Sequence, residues 1–327
     1  MRPRTAVASY RIAALSLSSW SMYLLWSAAT VVGLLSLYLL ALVGLARTQL
    51  LPPPPIINNL CADAKLQFLR DHLTYSPSLI VVGSSVAWRD IDGQRLLGDS
   101  RLPLNAGFCA AQANQAAFVS RFLTDRLHSV RTVIAVFAPQ DFRACSKTRT
   151  RLFNVNDATD YIFHRTWIYG LYLRYFDPVS LVRNVHRLSQ RLPDLAMDRF
   201  GDAMLRSSGS RPVIYKGFGA YDQSCFGALH DMAVSVSARG GDLLVATAPV
   251  NSEWITRFDP KDRVVPELSA RIAKALKGTR AVFWDGAKAF PTTPADFTDN
   301  ALHLRRSVAI QYTTALARVL DEHEAPR

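Results

Sequence analysis

Apolar residues run almost unbroken near the start of the chain, then fall into short blocks separated by turns and amphipathic stretches. No charged residue occurs from Ile12 to Ala46, and Tyr23 to Leu45 is almost wholly apolar. A helix rising about 1.5 Å per residue needs roughly 20 such residues to cross the hydrocarbon layer. The pattern therefore predicts one membrane-spanning helix over 22–46. Trp20, Tyr23, Trp26 and Tyr38 suit the interfaces, where amphipathic rings are favoured. Arg2, Arg4 and Arg11 precede the run and only Arg47 closely follows it. That bias leaves 1–21 in the cytoplasm and carries the rest across an inner membrane into the periplasm. A cleaved signal peptide has an apolar region of only about 7–15 residues and a small-residue cleavage site. Here the run is longer, and Val43-Gly44-Leu45-Ala46 makes a poor site. A buried core helix is the other alternative, but one apolar on every side is rare in a soluble domain. Pro52 to Pro55 follow, and predict a stiff, extended spacer over 47–60.

From 61 to 327 the pattern changes. Ser78–Val82, Leu102–Ala106, Arg131–Ala138, Asp242–Thr247 and Ala281–Trp284 are short apolar runs closed by glycine, proline or polar residues. Strands buried on both faces of a parallel sheet have this character. Between them Gln112–Leu127, Gln223–Ala238, Pro266–Lys277 and Val308–Leu320 carry apolar residues at helical spacing. The alternation predicts an α/β fold, a flavodoxin-like three-layer sandwich around a mainly parallel five-stranded sheet. Between Cys145 and Cys225 the alternation stops, and an aromatic, arginine-rich segment with helical patches such as Val179–Arg191 intervenes. It reads as a helical insertion, about 145–225, capping the sheet edge.

Composition narrows the function classes. The net charge is +12, and its arginines are spread along the chain rather than clustered. No zinc-finger spacing, aromatic-basic RNA signature or basic tail is present, which argues against nucleic acid. The sign of the charge suits an anionic lipid surface or an acidic polysaccharide. The four cysteines, Cys61, Cys109, Cys145 and Cys225, allow three pairings. Cys145 and Cys225 bracket the insertion and are the first expected bridge, with free buried thiols as the alternative. No CxxC pair and no Gly-x-Gly-x-x-Gly after the first strand point to a metal or a nucleotide, and no cofactor is expected.

Ligands of α/β sheets gather at the carboxyl ends of the strands, and three such ends carry suitable residues. Gly83-Ser84-Ser85 follows the first strand, Gln140-Asp141 follows the third, and Asp299-Asn300-Ala301-Leu302-His303 precedes the last helix. A serine nucleophile needs a base to take its proton and a carboxylate to orient that base. Ser85, His303 and Asp299 can fill those roles, and the Gln140 amide can donate to an oxyanion. Taken singly, a Gly-Ser-Ser turn, a loop amide and a histidine before a helix are each more often structural.

Taken in order, these blocks resemble the SGNH (GDSL-like) hydrolase superfamily, over most of the chain from about Ser78 to Leu320. The resemblance places the nucleophile at Ser85, with Ser84 where aspartate usually stands. Asn105-Ala106-Gly107-Phe108-Cys109-Ala110 matches the second block, with Ala110 in place of the last glycine. Ala138-Pro139-Gln140-Asp141 stands for the third, with Gln140 in place of asparagine. The resemblance implies an oxyanion site formed by the Gln140 amide, the Ser85 N–H and an N–H near Gly107 or Ala110. In the last block the carboxylate, Asp299, is four residues before His303 rather than three, where Asn300 stands, so either residue could orient the base. The Gly-Ser-Ser variant is similar to that of membrane-associated relatives that add or remove acetyl groups on envelope polysaccharides, which implies an acylated polysaccharide substrate and other proteins of a polysaccharide machinery as partners. Water as acceptor would give an esterase and a sugar hydroxyl an O-acyltransferase. The departures at Ala110, Gln140 and Asp299 leave a second possibility, a catalytically silent carbohydrate-binding or assembly partner.

Overall fold

The computed structural model describes residues 6–73, 76–190, 195–203 and 215–324. The chain forms two compact units, Met1–Leu51 and Pro52–Arg327. The first is built on one helix, α1 (Ala6–Arg47). Its segment Trp20–Arg47, 28 residues with a mean hydropathy of 2.3, is long and apolar enough to cross a membrane.

The second unit starts earlier than the sequence pattern suggests. The prolines do not form a free spacer over 47–60: Pro52, Pro53 and Pro54 are buried, and the Tyr172 hydroxyl donates to the Pro52 carbonyl. The ring that stiffens proline also supplies apolar surface, and here that surface is packed rather than solvated. An unanticipated helix, α2 (Leu60–His72), follows directly. Asn59 caps it by accepting from the N–H groups of Cys61 and Ala62, and Leu66 and Leu69 enter the core.

The sheet is made of β1 (Leu79–Gly83), β2 (Pro103–Asn105), β3 (Thr132–Phe137), β4 (Asp242–Thr247) and β5 (Val282–Trp284). Their spatial order is β2-β1-β3-β4-β5, and every pairing is parallel. This is the flavodoxin-like order. After β1 come two short helices, α3 (Ser85–Arg89) and α4 (Gly93–Leu96); α5 (Ala113–Thr124) links β2 to β3. The insertion contributes α6 (Val155–Ile162), α7 (Ile168–Arg174) and α8 (Pro178–Ser189), before α9 (Gln223–Ala238) returns to β4. Then follow α10 (Ser252–Phe258), α11 (Val264–Leu276), β5, α12 (Gly286–Ala289) and α13 (Arg306–Glu324).

Successive strand residues point to opposite faces, so the sheet feeds two cores. Ile80 and Val82 pack with Leu66, Phe122, Leu229 and Ile272 on one side. Leu79 and Val81 pack with Val86, Trp254, Tyr312 and Leu316 on the other. The insertion lies between the expected cysteines, and a Cys145–Cys225 disulfide joins its ends. A second disulfide, Cys61–Cys109, ties α2 to the loop after β2. Within the insertion Phe153, Tyr161 and Leu171 join the core, and the Phe200 carbonyl accepts from the Asn105 N–H beside the edge strand.

Candidate active site

Ser85 stands at the carboxyl end of β1, where the strand gives way to α3. Gly83 makes this turn possible. It pairs with Val136 of β3, its φ is +143°, and a Cβ there would lie 2.1 Å from the Val136 carbonyl oxygen. No larger residue fits. Ser84 caps α3, and its hydroxyl donates to Asp141 Oδ2 at 2.8 Å. The same oxygen accepts from the Ala138 N–H at 2.9 Å. Asp141 thereby ties the ends of β1 and β3 together, leaving Ser85 as the serine that points elsewhere. Burial pushes the Asp141 carboxyl up to about 7, against the lowering effect of those two hydrogen bonds.

His303 and Asp299 come from a narrow loop closed by a bridge between Phe297 and Leu304. The Thr298 N–H donates to the His303 carbonyl at 2.8 Å. Asp299 Oδ1 accepts from the backbone N–H groups of Ala301 (2.9 Å), Leu302 (2.8 Å) and His303 (3.2 Å). Its Oδ2 faces His303 Nδ1. Both side chains are only 3% exposed. Burial alone would raise the Asp299 pKa, but the hydrogen bond and charge of His303, with the Ala301 and Leu302 N–H groups, hold it below the usual carboxylate range. An ionised carboxylate can only accept, so the proton of a neutral His303 ring sits on Nδ1. Nε2 is then the acceptor, and it lies 2.8 Å from Ser85 Oγ. The loop is braced by Leu304 N–H donating to Asp90 at 2.9 Å and Asn251 N–H donating to the Ala301 carbonyl at 2.8 Å.

Asn300 has a different task from its neighbour. Its Oδ1 accepts from the Tyr215 N–H at 2.8 Å, and its Nδ2 donates to the Tyr215 carbonyl at 3.0 Å. The Tyr215 ring lies 6.0 Å from the His303 ring. Its phenol interacts with the Ser85 side chain, and burial followed by the Asp299 charge pushes its pKa up.

Of the expected oxyanion donors, Gln140 and the alternatives Gly107 and Ala110 meet different fates. Both polar atoms of the Gln140 amide are buried and without a hydrogen-bond partner among the described residues. The amide thus has unspent donor capacity at the end of β3. Ala110 adopts a left-handed φ of +57°, the conformation a glycine would take freely, and no partner for its N–H is found among the described residues. Gly107 does not fit its expected role. Its N–H is taken by Asn105 Oδ1 at 2.9 Å, and a Cβ would come within 2.8 Å of the Trp88 backbone nitrogen. It allows the loop to approach α3 and does not offer a free donor.

Several residues of the site escaped sequence reasoning. Tyr215 belongs to a stretch without periodicity and is visible only through its contact with Asn300. Gln112 clamps the turn after β3, donating to the Gln140 carbonyl at 3.3 Å and accepting from the Ala144 N–H at 3.1 Å. A glutamine at a helix start gives no such signal. No cluster of His, Cys, Asp and Glu able to hold a metal ion occurs among the described residues.

Among solved structures the chain matches a GDSL-like lipase from Bacteroides thetaiotaomicron at 13% identity and a TM-score of 0.43, over 80% of this chain and 98% of that one. It also matches a candidate acylhydrolase from Bacteroides fragilis, at 13% identity and a TM-score of 0.43, over 79% of this chain and 97% of that one. A third match is a candidate platelet activating factor from Streptococcus pneumonia, with 12% identity, a TM-score of 0.41, and coverage of 80% and 92%. No protein-family profile matches the chain, and no curated protein sequence does. What the site can do follows from its own geometry.

Proposed function

We propose that the protein is a serine acyl-transfer enzyme, anchored by α1, that acts on acyl esters of an envelope or secreted polysaccharide. One observation carries the chemistry: Ser85 Oγ lies 2.8 Å from His303 Nε2, while His303 Nδ1 faces the buried Asp299 carboxylate. Ser85 attacks the ester carbonyl as His303 takes its proton, and a C–O bond forms while the carbonyl electrons move onto oxygen. The Gln140 amide, the Ser85 N–H at the start of α3 and the Ala110 N–H are the donors for that oxyanion. Collapse expels the sugar alkoxide, which receives the proton from His303 and leaves an acyl-Ser85. Water then gives an esterase, and a second sugar hydroxyl gives an O-acyltransferase.

The setting is supported by chemistry of a different kind. The arginine bias ahead of α1 favours a cytoplasmic N-terminus and an extracytoplasmic domain. The two disulfides suit an oxidising compartment, and the +12 charge suits an acidic polymer. A silent carbohydrate-binding or assembly partner has less in its favour, because the hydrogen-bond chain from Asp299 to Ser85 is intact and the Gln140 amide has no partner among the described residues. Turnover of p-nitrophenyl acetate and release of acetate from acetylated polysaccharide test the proposal. Wild-type protein should catalyse both, and Ser85→Ala neither; equal rates for the two proteins would refute it.

A further inference from the structure

The exposed apolar side chains of the second unit are not scattered evenly. Among the described residues, the four most exposed large ones are Val179 (74%), Val182 (70%), Phe176 (60%) and Trp167 (59%), all on α7, α8 and their junctions. The next, Val234 on α9, is 50% exposed. Helix α8 turns Ser180 and Asn184, with the half-buried Leu181, Val185 and Leu188, towards the domain, yet Val179 and Val182 point outward. At helical spacing Val179, Val182, Arg183 and His186 share the outer face, and Arg183, His186 and Arg187 are exposed. From 163 to 190 the chain holds the arginines 165, 174, 183 and 187 against a single carboxylate, Asp177. Of these arginines, Arg174 is paired with the buried Asp157. Exposed apolar side chains beside Arg183 and Arg187 are the makings of a surface that enters a lipid headgroup layer, the rings and valines below and the guanidinium groups at the phosphates.

The position of this surface in the chain supplies the occupant. Tyr172 of α7 is bonded to the Pro52 carbonyl, and Asp177, which caps α8, accepts from Asn58 Nδ2 at 3.3 Å. Only residues 48–51 separate Pro52 from the end of α1 at Arg47. Five residue steps of chain reach at most about 17 Å. The two helices thus hold the first residues of the second unit, Pro52 and Asn58, which follow α1 closely in the chain.

We propose that the Trp167–Arg187 surface rests on the headgroup layer of the membrane that holds α1, and that it prefers anionic phospholipid. This rests on the anchoring role of α1 given above. It would fix which side of the domain faces the bilayer, where a free spacer would leave it to tumble.

The test uses the full chain in lipid nanodiscs of phosphatidylcholine, with and without phosphatidylglycerol. A benzoylphenylalanine photo-cross-linker is placed singly at positions 179, 182 and 234. Adducts with lipid are expected at 179 and 182 and not at 234. They should increase with phosphatidylglycerol and fall in a background carrying Arg183→Gln and Arg187→Gln. Lipid adducts absent from 179 and 182, equal at all three positions, or replaced there by cross-links to a second copy of the chain would overturn the proposal. So would adducts displaced by added polysaccharide, which would mark the surface as a glycan site. A chain that does not enter the discs overturns the anchor itself, and that outcome is distinct from a chain that enters without touching lipid at α8.

Discussion

Asn300 grips the backbone of Tyr215 on both sides of its Cα, accepting from the N–H at 2.8 Å and donating to the carbonyl at 3.0 Å. The neighbouring Asp299 meanwhile faces His303 Nδ1. Two adjacent residues of similar shape thus hold different parts of one site. On the proposed reading the charged one orients the base, and the neutral one holds an aromatic ring beside it.

Substitution should separate these tasks. Asp299→Asn removes the acceptor that fixes the tautomer of His303 and should lower kcat by about 10⁴-fold, as in other serine triads. Asn300→Ala loses only the hold on Tyr215 and should cost about tenfold, the scale of one or two net hydrogen bonds. Steady-state kinetics with p-nitrophenyl acetate compare them; equal losses would place Asn300 in the triad after all.

Gln140 is the donor whose removal should show most clearly. Gln140→Ala should reduce kcat by roughly 10²-fold with little change in KM, because an oxyanion donor is used only in the transition state. Thermal stability should not fall, since both amide atoms are buried without partners among the described residues. A loss confined to KM would instead assign Gln140 to ground-state binding.

Asp141 gives the domain a pH dependence of known sign. Its folded pKa is pushed up to about 7 from 3.8, so the native state holds a proton that the unfolded chain has released. Its contribution to stability is full below about 4 and is lost as pH rises towards 7. Asp141→Asn keeps an acceptor for Ser84 and Ala138 but cannot ionise. Its urea-unfolding free energy should decline less than that of wild type between pH 4 and 7. Parallel profiles would show that Asp141 does not titrate in that range.

The Cys145–Cys225 bridge closes a loop of 80 residues. Replacing both cysteines by serine should destabilise the protein by about 4 kcal/mol on the chain-entropy account. Denaturant unfolding checks this, and a change near zero would mean that the insertion is held by packing alone.

Much of this architecture is written in local pattern. The runs at Leu79–Gly83 and Thr132–Phe137 are buried on both faces, so continuous hydrophobicity marks them plainly. The span Trp20–Arg47 is equally legible because water-filled alternatives are so costly. Helix α2 was hidden because Asp63 and Lys65 are among its buried residues, which breaks the apolar period. The prolines at 52–54 read as a spacer because stiffness is visible in sequence, whereas the Tyr172 hydroxyl that donates to the Pro52 carbonyl lies far along the chain. The site divides in the same way. Ser85, Asp299 and His303 each carry a recognisable turn or spacing, and the structure brings them together. Sequence offers Gly107 or Ala110 as a donor without deciding between them, and only the placement of Asn105 Oδ1 shows the Gly107 N–H spent. Tyr215 and Gln112 act through long-range contacts that no periodicity encodes.

The account stands or falls on whether Ser85 is an activated nucleophile. Full-length protein labelled with a fluorophosphonate probe tests this directly, alongside Ser85→Ala and His303→Ala variants whose fold is verified by circular dichroism. The wild type should become labelled at Ser85, with Ser85→Ala unlabelled and His303→Ala strongly slowed. A folded wild type that takes up no probe, or a Ser85→Ala variant labelled at the wild-type rate, would contradict it.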